Sequence, residues 1–279
     1  LSLVARPGYQ PQAKDTSVET DLFEFALLRQ RSNRDRWLMA MNLIRGARAL
    51  SIACLRQQFV DLGTERFAQK VAQAWLQENC PQNFTPTGND MTWIQDSNSL
   101  ALLLHRILAE LEIPYYVTGG MAAIAYGEPR TTRDIDLVLA ISKHEIDRLV
   151  ICLESYGFYV PSADDVKSGR MQLLGITQIE TISRADLIFA GTDEFDRVKF
   201  VRRRLFQIPG GELYFASPED LILNKLDWRR KSNSEKQWRD VLGILKVQGQ
   251  TLDFDYLHRW ANQFQLLGDL TQAMTEAGI

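Results

Sequence analysis

Apolar positions recur at helical spacing through the first third of the chain, give way to short strand-like runs, and return to helical spacing near the end. Helical text begins after the capping cluster Asp15-Thr16-Ser17, with Leu22, Phe23, Phe25, Ala26 and Leu28 as its apolar face. A second start falls at Ser32 or Asn33. The stretch from Trp37 to Leu55 has apolar residues on more than one face, which predicts a buried helix. Phe67, Val71, Ala74 and Trp75 mark a third helix over 64–78, before Pro81 closes it. The text CPQNFTPTG over 80–88, with two prolines and a glycine, is linker chemistry.

Beyond that linker, 98–111 reads as a helix, and Tyr115-Tyr116-Val117-Thr118 as a short buried strand running into Gly119-Gly120 and a helix from Met121 to Tyr126. The run from Asp134 to Leu139 alternates and then turns wholly apolar, as in a strand whose head is exposed. Ser142 and Glu145 form a capping-box pair for a helix reaching Tyr156. Further strands are expected at Met171 to Leu174 and Ala185 to Phe189, with a hairpin from Phe200 to Tyr214 around Pro209-Gly210-Gly211. Ser217-Pro218-Glu219-Asp220 then restarts helical text, with a Ser cap, Pro in the first turn and acids at the positive end, and predicts helices over 220–230, 234–247 and 255–264. The fold class is therefore α/β (α+β), a mixed sheet with flanking helices plus helical N-terminal and C-terminal regions. The expected divisions are an arm over 1–15, a helical region over 16–80, a linker over 81–97, a core over 98–215 and a helical region over 216–279.

Bulk properties narrow the function classes without choosing one. The 32 basic and 35 acidic residues give a net charge of −3, so there is no global basic field for nucleic acid, though a local patch stays open. Cys54, Cys80 and Cys152 are too few and too scattered for a disulfide framework, and read as small buried hydrophobes of a cytoplasmic protein. No apolar run is expected to span a bilayer, and the N-terminus lacks a signal-peptide layout, so no membrane partner is expected.

The chemistry concentrates between Val117 and Asp136. A Gly-Gly turn between strand and helix lets backbone approach a phosphate, whose charge the helix N-terminus favours; alone, it is a common turn. Asp134 and Asp136 stand two apart on a strand, so both carboxylates leave one face and can share a hard cation such as Mg2+ or Mn2+. An isolated Asp-x-Asp also fits the solvated face of a strand. The Gly-Gly about 14 residues upstream turns the balance toward a metal site. Two-metal chemistry calls for a third carboxylate, and Asp186, heading the strand Leu187-Ile188-Phe189, is the candidate, with a strand-end surface acid as its other reading.

This arrangement resembles the nucleotidyltransferase superfamily, and within it the AbiEii-like abortive-infection group, whose pattern is Gly-Gly or Gly-Ser, a spacer, Arg-x-Thr-x-Asp-Ile-Asp and later basic and acidic motifs. The likeness covers roughly Tyr115 to Leu245, with Arg130 and Thr132 matching the run before the aspartates. It implies a nucleotidyltransferase-type sheet, with Gly119 and Gly120 contacting the triphosphate and Asp134 and Asp136 binding metal. The later motif, a lysine on a helix followed by Arg-Asp, matches Lys225 and Arg239-Asp240. Lys225 would neutralise charge on the leaving triphosphate, or else simply face solvent. Asp240 would hold Lys225 or Arg239 in position, or form an ordinary surface pair.

Two basic runs stay open between function and surface. Lys199 to Arg204 would present a cationic stripe on a strand or protect a sheet edge, and Trp228, beside Arg229, Arg230 and Lys231, would stack a base or, more simply, pack on a neighbouring helix. The sequence as a whole predicts a metal-dependent enzyme moving a nucleotidyl group from an NTP to a hydroxyl acceptor on RNA or protein, with a cognate antitoxin as a further partner. The alternative is a non-catalytic nucleotide-sensing or protein-binding module.

Overall fold

A computed structural model describes residues 4–82, 84–95 and 97–279, together with the backbone but not the side chain of residue 250. Residues 1–3 of the expected arm and positions 83 and 96 of the expected linker lie outside the described residues. The helices are α1 (Val18–Arg29), α2 (Asn33–Gln58), α3 (Thr64–Leu76), α4 (Asp90–Trp93), α5 (Ser97–Glu110), α6 (Gly119–Tyr126), α7 (Ile146–Ser155), α8 (Ala163–Lys167), α9 (Glu194–Arg202), α10 (Pro218–Ser232), α11 (Glu235–Gln248), α12 (Phe254–Gln263) and α13 (Leu267–Ala277). The strands are β1 (Tyr115–Thr118), β2 (Asp134–Leu139), β3 (Phe158–Tyr159), β4 (Leu173–Gln178), β5 (Ser183–Phe189), β6 (Arg204–Ile208) and β7 (Gly211–Phe215). They form one sheet of order β3-β4-β5-β2-β1-β7-β6. β2 runs parallel to β5 and antiparallel to β1, while β1 runs parallel to β7, so the mixed α/β class holds.

Local chemistry explains most helix starts. The Ser17 side chain accepts from the Thr20 N–H, Ser32 and Asp35 close a capping box, and Ser217 accepts from the Asp220 N–H. Several expectations shift. Lys199 to Arg202 lie on a helix, not a strand, because Asp193 caps α9 and Glu194 and Asp196 favour its first turn; only Arg204 enters β6. β3 and α4 carry too little periodic text to be seen in advance, whereas α13, with Leu270, Ala273 and Ala277 buried at helical spacing, is a helix beyond those expected. Helix α2 is amphipathic rather than buried all round: Trp37, Ala40, Met41 and Ile44 enter the core, while Met39, Leu43 and Leu50 face out. By length and hydropathy α2 alone among the described residues could cross a membrane, against the expectation of none, yet that inner stripe packs in the core. None of the three cysteines is fully buried, and Cys54 is exposed.

One core runs from α2 through both faces of α6 and the sheet to α13. Its centre is α6, in which every residue from Gly120 to Tyr126 is buried and whose neighbours are β1, β2, α2, α10 and α11. A smaller core joins α3 and Ile52 to Trp93 and Ile182, and so seats the α2–α3 hairpin beside the head of β5.

A buried ion pair ties the N-terminal region to the C-terminal helices. Lys246 Nζ donates to Asp21 Oδ2 at 2.7 Å and to the Gln10 carbonyl at 2.6 Å, with both charged side chains 1% exposed. Asp21 also accepts from the Tyr9 hydroxyl and, at 2.6 Å, from the Gln12 N–H. Residues 9–12, inside the segment read as an arm, are thus hydrogen-bonded onto α1 and α11. Lys246→Met leaves Asp21 buried without its counter-charge and is expected to lower the unfolding free energy by about 3 kcal/mol. Urea denaturation measures this, and the double change with Asp21→Asn should recover part of the loss.

Candidate active site

The sheet brings the candidate carboxylates together. Asp134 and Asp136 are half-buried on β2, with Ile135 between them turned into the core. In register, Asp136 faces Asp186 on parallel β5 and Thr118 on antiparallel β1, while Asp134 faces Arg184. Alternation puts Arg184 and Asp186 on one face of β5. Asp186 thus lies beside the aspartate pair, but in the middle of β5 rather than at its head, because the strand already begins at Ser183.

The glycine turn meets this row of carboxylates at its centre. Gly119 has φ +60°, and a Cβ there would lie 1.8 Å from Asp136 Oδ2, so both conformation and space demand glycine. The Gly120 N–H, at the start of α6, donates to Asp136 Oδ2 through a long 3.4 Å hydrogen bond. A Cβ on Gly120 would come 2.9 Å from Thr132 Oγ1 and 3.3 Å from Arg130 Nη2. The two glycines, Arg130, Thr132 and Asp136 therefore form one packed unit.

Behind that unit lies a buried charge network. Arg130 donates to both oxygens of Asp240, Nε to Oδ1 at 2.9 Å and Nη2 to Oδ2 at 2.8 Å. Lys225 Nζ donates to Asp240 Oδ2 at 2.7 Å and to Gln237 Oε1 at 3.0 Å. Burial lowers the proton affinity of Lys225 against the pull of Asp240. Burial raises the Asp240 carboxyl, but Lys225 and Arg130 together outweigh it and hold Asp240 below the usual range. Asp240 thus holds Lys225, one of its two expected partners, together with Arg130. Arg239, the other, pairs with Glu128 at 2.6 Å. Trp228, expected to pack on a helix, is exposed, and its neighbouring cations are spent on Asp227 and Asp269.

A cleft of about 740 Å³ opens beside Asp134, within the size range of small-molecule sites. Thr131, Thr132, Arg133, Asp134 and Arg184 line one side, and the α2–α3 hairpin lines the other with Arg48, Ser51 and Trp75. Trp75 Nε1 donates to Ser51 Oγ at 2.9 Å, and the Arg48 guanidinium lies 5.0 Å from its ring centroid. The contribution of the N-terminal helices was invisible in the sequence, because nothing local links residue 75 to residue 134. Arg184 carried a readable signal, two residues before Asp186 on the same strand.

The site is electrostatically unbalanced. Burial, then Asp134 and Asp186, push the Asp136 carboxyl up to about 6, and burial also raises Asp186. An all-carboxylate donor set with excess negative charge suits a hard divalent cation at Asp134 and Asp136. Among the described residues no three Asp, Glu, His or Cys side chains already converge as a metal cage. One oxygen of Asp186 is instead given to Arg184, whose Nε and Nη2 reach Oδ1 at 3.1 and 2.6 Å.

No family model matches the chain, and no curated protein matches it significantly. Among solved structures, the antibiotic-resistance factor ANT(2″)-Ia aligns with a TM-score of 0.43 at 17% identity, over 61% of this chain and 92% of its own. An antigenic nucleotidyltransferase-like protein from Paracoccidioides brasiliensis aligns at 0.40 and 21%, over 68% and 95%. The lincosamide antibiotic adenylyltransferase LnuA, bound to lincomycin, aligns at 0.39 and 12%, over 54% and 97%.

Two outcomes follow from this geometry. Gly119→Ala combines left-handed strain with overlap on Asp136, and is expected to cost about 2 kcal/mol or more in thermal or urea unfolding. Asp136 binds its proton more tightly in the folded protein than in the unfolded chain. The stability it contributes is therefore complete below about pH 4 and lost as pH rises through about 6. In metal-free buffer near pH 8, Asp136→Asn should be more stable than wild type by roughly 2 kcal/mol, and a pH series of melting curves should show the difference vanishing in acid.

Proposed function

We propose that the chain is a metal-dependent nucleotidyltransferase that moves an NMP from an NTP to a hydroxyl acceptor on RNA or protein. The observation that carries this reading is the contact of Asp136 with the Gly119-Gly120 turn at the start of α6, with Asp134 on the same strand face and Asp186 beside Asp136 in register. Asp134 and Asp136, with Asp186 completing the site, would hold Mg2+ or Mn2+, which supplies charge stabilisation for the reacting phosphate. The Gly119-Gly120 turn would face the phosphates with the positive end of α6, its glycines required because Asp136, Thr132 and Arg130 take the space of side chains there. Arg130 and Lys225, fixed on Asp240, add positive charge behind the turn, with Thr132 over Gly120.

The acceptor oxygen attacks the α-phosphorus, the bond from that phosphorus to the bridging oxygen breaks, and pyrophosphate leaves with the electron pair. The acceptor proton passes to a carboxylate, for which Asp186 is our assignment. The cleft between α2–α3 and Asp134 has the size for the nucleotide. The resemblance in the sequence extends the proposal to a toxin held in check by a cognate antitoxin. A nucleotide-sensing module is the second reading, favoured by the engagement of Asp186 with Arg184.

Incubation with Mg2+, each labelled NTP, total RNA and lysate protein tests the assignment. Label should pass to one acceptor class and fall by on the order of a thousand-fold in Asp134→Ala/Asp136→Ala. Metal-dependent NTP binding with no transfer to any acceptor would select the sensing module instead.

A further inference from the structure

Arg184 occupies the place where a cation is most needed. It stands beside Asp134 in register and two residues from Asp186, so its guanidinium lies in the row formed by Asp134, Asp136 and Asp186. Both of its contacts fall on one oxygen of Asp186, and the second oxygen takes no part in the pair. The opposite strand is cut away for it: Gly175 faces Asp186 across β4 and β5, and a Cβ there would lie 2.8 Å from Arg184 Nη2 and 3.3 Å from Asp186 Oδ1. Arg184 also lines the cleft beside Asp134 and keeps 19% of its side chain exposed, so a short movement brings it into that space.

We propose that Arg184 is a positioning residue with two partners: it stands in for the divalent cation on Asp186, and when the cation takes that carboxylate it turns into the cleft to bind a phosphate of the nucleotide. This rests on the nucleotidyltransferase reading of the same site. The exchange is electrostatically matched. The carboxylate trades one cation for another, and the released guanidinium meets a phosphate anion, for which its planar fork of donors is suited. Metal and nucleotide binding are then coupled through one side chain, because the metal frees the arginine that the nucleotide needs. Gly175 is the residue that lets the resting pair form.

Calorimetric titration of the full-length, nucleotide-free protein with Mg2+, followed by a non-hydrolysable NTP analogue, tests this. Arg184→Gln should bind Mg2+ about three- to ten-fold more tightly, the range expected when a carboxylate is freed from a partly buried ion pair. With Mg2+ saturating, the same variant should bind the analogue about ten-fold or more weakly. Gly175→Ala crowds the guanidinium off Asp186 but keeps its charge, so it should tighten Mg2+ and leave analogue binding at the wild-type level. Should Gly175→Ala fail to fold, Arg184→Gln decides alone, with circular dichroism as the check that it is folded. Folded Arg184→Gln with unchanged or weaker Mg2+ binding, or with unchanged analogue binding, overturns the proposal and leaves the nucleotidyltransferase reading standing. Wild type with no Mg2+ binding that depends on Asp136 overturns both.

Discussion

Everything at the site depends on the burial of α6. Seven of its eight residues are buried, and it is held on all sides by the sheet, α2, α10 and α11. A helix so enclosed cannot tilt or slide without opening cavities in the core. Its first N–H groups are therefore fixed, and so is the turn that delivers the chain from β1 into it. Gly119 follows as a consequence: the chain must bend with positive φ where Asp136 already fills the space of a side chain. The packing of an apolar helix thus decides how closely backbone and carboxylate approach.

Around that fixed point the protein arranges charge in two layers. The inner layer is acidic and incompletely compensated, with Asp136 pushed up to about 6 and Arg184 answering only Asp186. The outer layer is closed, since Arg130, Lys225 and Asp240 satisfy one another and join the loop before β2 to α10 and α11. The contrast is physically meaningful. A satisfied network is rigid and holds its neighbours still, whereas an unsatisfied cluster carries a cost that a bound cation relieves.

The N-terminal helices serve the site from outside the sheet. Their inner stripe joins the main core through Trp37, Met41 and Ile44, and their second core seats Trp75 across from Asp134. The Asp21–Lys246 pair secures the opposite end of the same region to α11. The wall of the cleft is therefore fastened at both ends to the elements that carry the carboxylates and the charge network.

The sequence by itself determined the features that depend on neighbours along the chain. Capping residues marked the helix starts at Ser17, Ser32 and Ser217, strand alternation put Asp134 and Asp136 on one face, and the apolar run that follows Asp186 singled it out, though its strand begins earlier, at Ser183. It misread Lys199 to Arg202 as strand because three arginines in a row obscured the cap at Asp193, and it took α2 for a helix buried all round because apolar outer positions look the same as inner ones in text. Only the tertiary structure decided which strands are neighbours, and hence that Asp136 meets Asp186 and Asp134 meets Arg184. It alone chose Lys225 over Arg239 as the partner of Asp240, added Arg130, and brought Trp75 to the cleft. The reason is range: capping and alternation act within a few residues, whereas strand register and ion pairing across 110 positions, as between Arg130 and Asp240, follow from how whole elements bury their apolar faces.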